Sequence, residues 1–93
     1  MKKIDKPWGY EIIWAETNKY IGKKVFIKKE NALSECHESK DKTIYILQGV
    51  LKLKLENSIL LLGEGTSCHI KPKETHQIIT EKMDVILMEV SSE

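Results

Sequence analysis

The sequence contains no arginine: all 15 of its basic residues are lysine, set against 14 acidic ones for a net charge of +1. The guanidinium fork is the side chain most used to grip carboxylates and phosphates at two points. A phosphorylated ligand would therefore have to be held by lysine, backbone N–H groups or a metal. The lysines form no block, which argues against nucleic acid as a partner. Cysteine is scarce, and Cys36 and Cys68, in a chain without a secretory signal, read as free thiols in a reducing compartment. Apolar runs are short, residues 59–62 being among the longest, so no segment is predicted to span a membrane. The first seven residues have no apolar signal core, and the expected location is the cytoplasm. Helical periodicity with matching caps is also missing.

What remains is strand pattern. A chain of 93 residues suits one domain, expected over residues 1–93, with a core small enough to gain from self-association. Its 41% hydrophobic and 31% charged content is that of a folded globular domain. Residues 10–14 predict a first strand after the Pro7–Gly9 punctuation. A loop over 16–20 and a turn at Gly22 follow. Residues 23–29 then alternate, with Val25 and Ile27 on one face. Residues 43–47 form a strand closed by Gly49. In 50–56, Leu51, Leu53 and Leu55 alternate with Lys52, Lys54 and Glu56, as on a strand with one dry and one wet face. Residues 56–58 turn a hairpin into 59–62, and 63–65 turn again. Strands over 67–70, 76–80 and 85–90 complete the chain. Many short strands at even spacing point to a sandwich or barrel.

The chemistry gathers around residues 34–49. In an extended segment Glu35 and His37 project from one face and Cys36 from the other. His76 lies far along the chain, again beside an apolar strand. Two imidazoles and a carboxylate on strands are the donors of a divalent transition-metal site. Other polar residues have plainer readings. His69 faces opposite to Cys68 and Ile70, as a surface or packing residue. Cys68 is a small apolar filler without a neighbouring base. Glu38 and Asp41 belong to a polar loop, and either could become a further ligand if the loop folds inward. Glu89 shares a face with Val85 and Leu87, so it projects toward the interior. Trp8 and Trp14 read as core or subunit contacts, and Tyr45 as lining a subunit contact or a pocket.

These residues resemble the cupins, and more narrowly the cupin domain of mannose-6-phosphate isomerases and their small stand-alone relatives. The resemblance is carried by Lys6-Pro7-Trp8-Gly9-Tyr10-Glu11, Leu33-Ser34-Glu35-Cys36-His37, Tyr45-Ile46-Leu47-Gln48-Gly49, Pro72-Lys73-Glu74-Thr75-His76 and Met88-Glu89-Val90-Ser91-Ser92. It implies an all-β fold: a single jelly-roll β-barrel of antiparallel strands, with little or no helix. It also implies a homodimer that covers strand edges and the aromatic N-terminal segment. Counting back from Gly49 puts Lys42 where cupins carry a ligand glutamate, with Glu35 and His37 at the paired positions. Counting on from Gly65 puts Lys71 at the motif's proline, Lys73 at its glycine and His76 at its histidine. Two readings follow. In one, Glu35, His37 and His76 hold Fe, Mn, Zn or Ni as a Lewis acid on a small polar substrate, by resemblance a sugar or sugar phosphate. In the other, the chain is a non-catalytic small-molecule-binding or regulatory module with a degenerate site. Lys42 then pairs with Glu35, and the two histidines are neutral hydrogen-bonders. The lysine is what separates them: an ammonium beside a divalent cation is repelled by on the order of a few kcal/mol.

Overall fold

The computed structural model describes residues 2–35 and 40–92. These residues form ten strands and no helix: β1 (Lys2–Lys6), β2 (Gly9–Glu16), β3 (Tyr20–Ile27), β4 (Ala32–Glu35), β5 (Lys42–Gln48), β6 (Leu51–Leu55), β7 (Ile59–Leu62), β8 (Ser67–Ile70), β9 (His76–Thr80) and β10 (Val85–Ser92). Consequently no helix among the described residues is long and apolar enough to cross a membrane. The strands pair antiparallel into two sheets, ordered β1-β2-β3-β10-β5-β8 and β4-β9-β6-β7. The two ladders do not join into one continuous ring, which is the double-sheet form of a jelly roll.

Alternation explains which side of each sheet is dry. Val25 and Ile27 on β3, Ile44 and Ile46 on β5, and Val85 and Leu87 on β10 point inward from the larger sheet. Leu51, Leu53, Leu62 and Ile78 meet them from the smaller one, and together they form a single buried cluster. Burying a side chain of this size contributes about 1.5–3 kcal/mol, so this layer supplies most of the stability. The expected strands over 43–47, 59–62, 67–70 and 76–80 are all present, and the last strand runs on past Val90 to Ser92.

Two local expectations are corrected. Residues 2–6 carry a single apolar residue and gave no strand signal, yet they form β1 because the edge of β2 offers partners from Lys2↔Ile13 to Lys6↔Gly9. Gly22 is not a turn but lies within β3. Glycine is required there by a neighbour: a Cβ at Gly22 would sit 2.7 Å from the indole ring of Trp14.

Gly9 and Gly49 hold the chain reversals. Gly9 has φ of 153°, and an added Cβ would come within 1.9 Å of the Phe26 carbonyl oxygen. Gly49 has φ of 92°, and its Cβ would come within 2.5 Å of the Asp84 carbonyl oxygen. Both contacts are with backbone, which cannot step aside. A Cβ added at Gly63 would meet nothing within 4 Å. Gly9→Ala and Gly49→Ala should each cost about 3 kcal/mol or more in urea unfolding, whereas Gly63→Ala should change stability by less than about 0.5 kcal/mol.

Candidate functional site

His76 opens β9 and is 2% exposed, on the same inward face as Ile78 and Thr80. The alternation of β9 forces this, because Ile78 must enter the core and residues two apart share a face. Its Nδ1 lies 3.5 Å from the Glu74 carbonyl oxygen, and its Nε2 is wholly buried. The ladder register sets Glu35 of β4 opposite His76 on one side and Leu55 of β6 on the other. Two of the three expected metal-site residues are thus cross-strand neighbours, the closest relation two strand positions can have. The third, His37, lies outside the described residues, as do Cys36 and Glu38.

At the end of these three strands is an open pocket of about 440 Å³, lined by Ser34, Lys54, Leu55, Glu56, Thr75, His76 and Gln77. One charge of each sign, hydroxyls and an amide surround an apolar patch.

The opposite wall answers the question raised by Lys42. This lysine does not swing out to water: it is 4% exposed, on the inward face of β5 with Ile44 and Ile46. Its Nζ lies 3.6 Å from the Glu89 carboxylate on β10. Glu89 is itself buried, as its alternation with Val85 and Leu87 predicts. Glu89 stands opposite Lys23 of β3 in register, and Lys23 Nζ is 3.4 Å from the Glu11 carboxylate of β2. Charges of alternating sign therefore cross four strands on the inner face, Glu11, Lys23, Glu89 and Lys42, and sum to zero. Sequence reading missed Glu11 and Lys23. The signal for Lys23 was available, since it is two residues before Val25 and shares its inward face. Glu11 is found only through the pairing of β2 with β3.

The described residues do not fit a complete cupin metal centre. The position of the ligand glutamate holds a buried cation, and the Glu89 carboxylate beside it is engaged by that cation. Among the described residues, no three His, Cys, Asp or Glu side chains gather closely enough to hold a metal.

His69 is exposed on β8, as expected, and its Nε2 contacts the Asp41 carboxylate on the outside of the molecule. Asp41 therefore does not turn inward as a ligand. Cys68 is a free thiol packed against the core. Burial, and secondarily the Glu74 carboxylate, push its pKa upward, which keeps it protonated and unreactive at neutral pH.

Two outcomes are expected. Lys42→Met or Glu89→Leu alone should cost roughly 3 kcal/mol, because each strands a buried charge. The double substitution should cost less than the two together, as a double-mutant cycle by urea unfolding will measure. In a Cys36→Ser background, iodoacetamide labelling of native Cys68 should rise with pH through a midpoint above that of the unfolded chain. A native midpoint at or below the unfolded one would contradict the assignment.

The whole chain, residues 1–93, matches the family model described as mannose-6-phosphate isomerase C-terminal. A search of curated proteins returned no match. Among solved structures, the chain is similar to KdgF from Halomonas sp., with 20% identity and a TM-score of 0.89 over 99% of this chain and 87% of that one. An RmlC-like cupin from Shewanella frigidimarina gives 17% identity and a TM-score of 0.88, over 98% and 82%. TT1209 from Thermus thermophilus gives 19% and 0.81, over 88% and 80%. At these identities the likeness concerns the fold, which is the jelly roll of the cupins.

Proposed function

The chain belongs to the mannose-6-phosphate isomerase C-terminal family, and on that footing we propose that it is a small-molecule-binding cupin that takes a polar, sugar-like ligand in the open pocket at the end of β4, β9 and β6. The observation that carries this reading is the pocket of about 440 Å³ with buried His76 in its wall. Its volume lies within the range of small-ligand sites. Ser34 and Thr75 each donate and accept, Gln77 does both through one amide, Lys54 donates and Glu56 accepts. Leu55 offers an apolar surface to the C–H face of a sugar ring. The pocket's charges, Lys54 and Glu56, are of opposite sign, and Lys42 is countered by Glu89. With no arginine in the chain, an uncharged sugar fits better than a sugar phosphate.

A second reading is favoured by the register that sets Glu35 opposite His76. Cupins commonly bind divalent metals. Glu35, His37 and His76 would be the residues to hold one, and it would supply Lewis-acid polarisation for isomerase-like chemistry.

Metal analysis of protein purified without a histidine tag, together with thermal melts, separates the two. The first reading expects no stoichiometric metal and no stabilisation by Mn, Fe, Ni or Zn salts. It also expects calorimetric binding of neutral monosaccharides to exceed that of their phosphates and to be lost in Gln77→Ala. One metal per chain, lost together with its stabilisation in His76→Ala, would establish the second reading instead. Under the first reading, Lys42→Glu should gain a metal-dependent shift of a few degrees (roughly 1 kcal/mol), because it replaces the buried cation by a ligand.

A further inference from the structure

Strand β7 ends the smaller sheet, and β6 is its one strand partner. Among the described residues, no backbone hydrogen bond reaches 59–62 from any other element. The N–H and C=O groups on its outer side are therefore open to a further strand. All four of its residues are apolar, and of these only Leu62 is buried. Ile59 is 64% and Leu61 70% exposed, on the outward face opposite Lys54 and Lys52. Leu60 stands opposite the fully buried Leu53 and is nonetheless 37% exposed, so the core is not closed over this edge. Folded proteins ordinarily blunt a sheet edge with lysine, proline or a bulge. β7 has none of these, and its register with β6 is unbroken. The apolar surface continues from Leu61 into a recess of about 140 Å³, lined also by Val50, Leu51, Glu81, Lys82 and Met83. Charge sits at the two ends of the strand. Glu56 precedes it by three residues and Glu64 follows by two, both exposed. The Lys52 ammonium beside it is already engaged by Glu81 at 3.3 Å.

We propose that β7 accepts an extended segment of another protein as a further strand of the smaller sheet, apolar at its centre and carrying lysine or arginine at its ends. Strand addition of this kind takes its affinity from main-chain hydrogen bonds and its selectivity from alternate side chains. In the added strand, one set of alternate side chains covers Ile59 and Leu61 and the other covers Leu60. The basic ends meet Glu56 and Glu64, which gives the contact its charge complementarity. The same charges disfavour a second copy of the chain as occupant. Antiparallel pairing of β7 with itself sets each Glu56 beside a Glu64, and like charges side by side between strands are destabilising. The proposal does not rest on the pocket reading, although Glu56 borders both surfaces.

The probe is a fluorescein-labelled synthetic peptide, Lys-Val-Thr-Val-Thr-Val-Lys, titrated with the full chain. Its anisotropy should rise to saturation. Leu61→Lys, at a position exposed enough to leave the far-UV spectrum unchanged, should weaken binding about tenfold or more. N-methylating alternate peptide amides removes donors and keeps every side chain. One of the two alternating sets should abolish binding and the other should spare it, because successive amides of a strand point to opposite edges. Replacing both peptide lysines by glutamate should also weaken binding. The proposal is overturned if the peptide does not bind at the solubility limit of the chain, if Leu61→Lys or the glutamate peptide binds as well as the original pair, or if both N-methylated forms bind alike. A mass doubling in light scattering that Leu61→Lys abolishes overturns it in favour of a second copy. Binding to phosphatidylcholine vesicles that Leu61→Lys abolishes, without binding of the peptide, overturns it in favour of a membrane surface.

Discussion

Strand β10 pairs with β3 along its whole length and with β5 over most of it, so it is the hydrogen-bonded spine of the larger sheet. Its inward positions are Val85, Leu87, Glu89 and Ser91. The first two build the core and the third places a carboxylate inside it. A buried carboxylate is tolerable only with a partner, and Lys42 of β5 supplies it. The same pairing that closes the core therefore also puts a cation on the inner wall.

The two inner walls differ in kind. On the larger sheet, charges of alternating sign are locked to one another between strands, which makes that wall polar but neutral overall. On the smaller sheet, the buried His76 imidazole stands between positions 35 and 55, next to an open mouth lined with short hydrogen-bonding groups. Under the proposed reading, such a site recognises hydroxyls by direction rather than anions by charge. It belongs to a fold whose members are built on one architecture for many purposes, so the residues and not the fold carry the functional reading.

Most of the architecture was legible. Leu51, Leu53 and Leu55 announce their strand because the side-chain period of a strand is two and only one face is dry. Gly49 announces its turn because a positive φ excludes most other residues. The inward direction of Glu89 follows from Val85 and Leu87 by the same arithmetic. β1 was not legible, since its hydrogen bonds come from β2 and not from any apolar pattern of its own. Gly22 misled because glycine signals a turn locally, while the reason for glycine here is an indole ring contributed by another strand. The Lys42 position was legible as an anomaly, and its resolution on Glu89 was not: the two residues are 47 positions apart.

The dry side of the alternating strands was written in local periodicity, which needs no knowledge of the rest of the chain, and the resemblance to the family marked Lys42 as a departure. Tertiary structure alone decided which charges meet and that His76 lies opposite position 35. Those are properties of register between strands distant in sequence. Register is set by how two sheets pack together, not by what either strand prefers by itself.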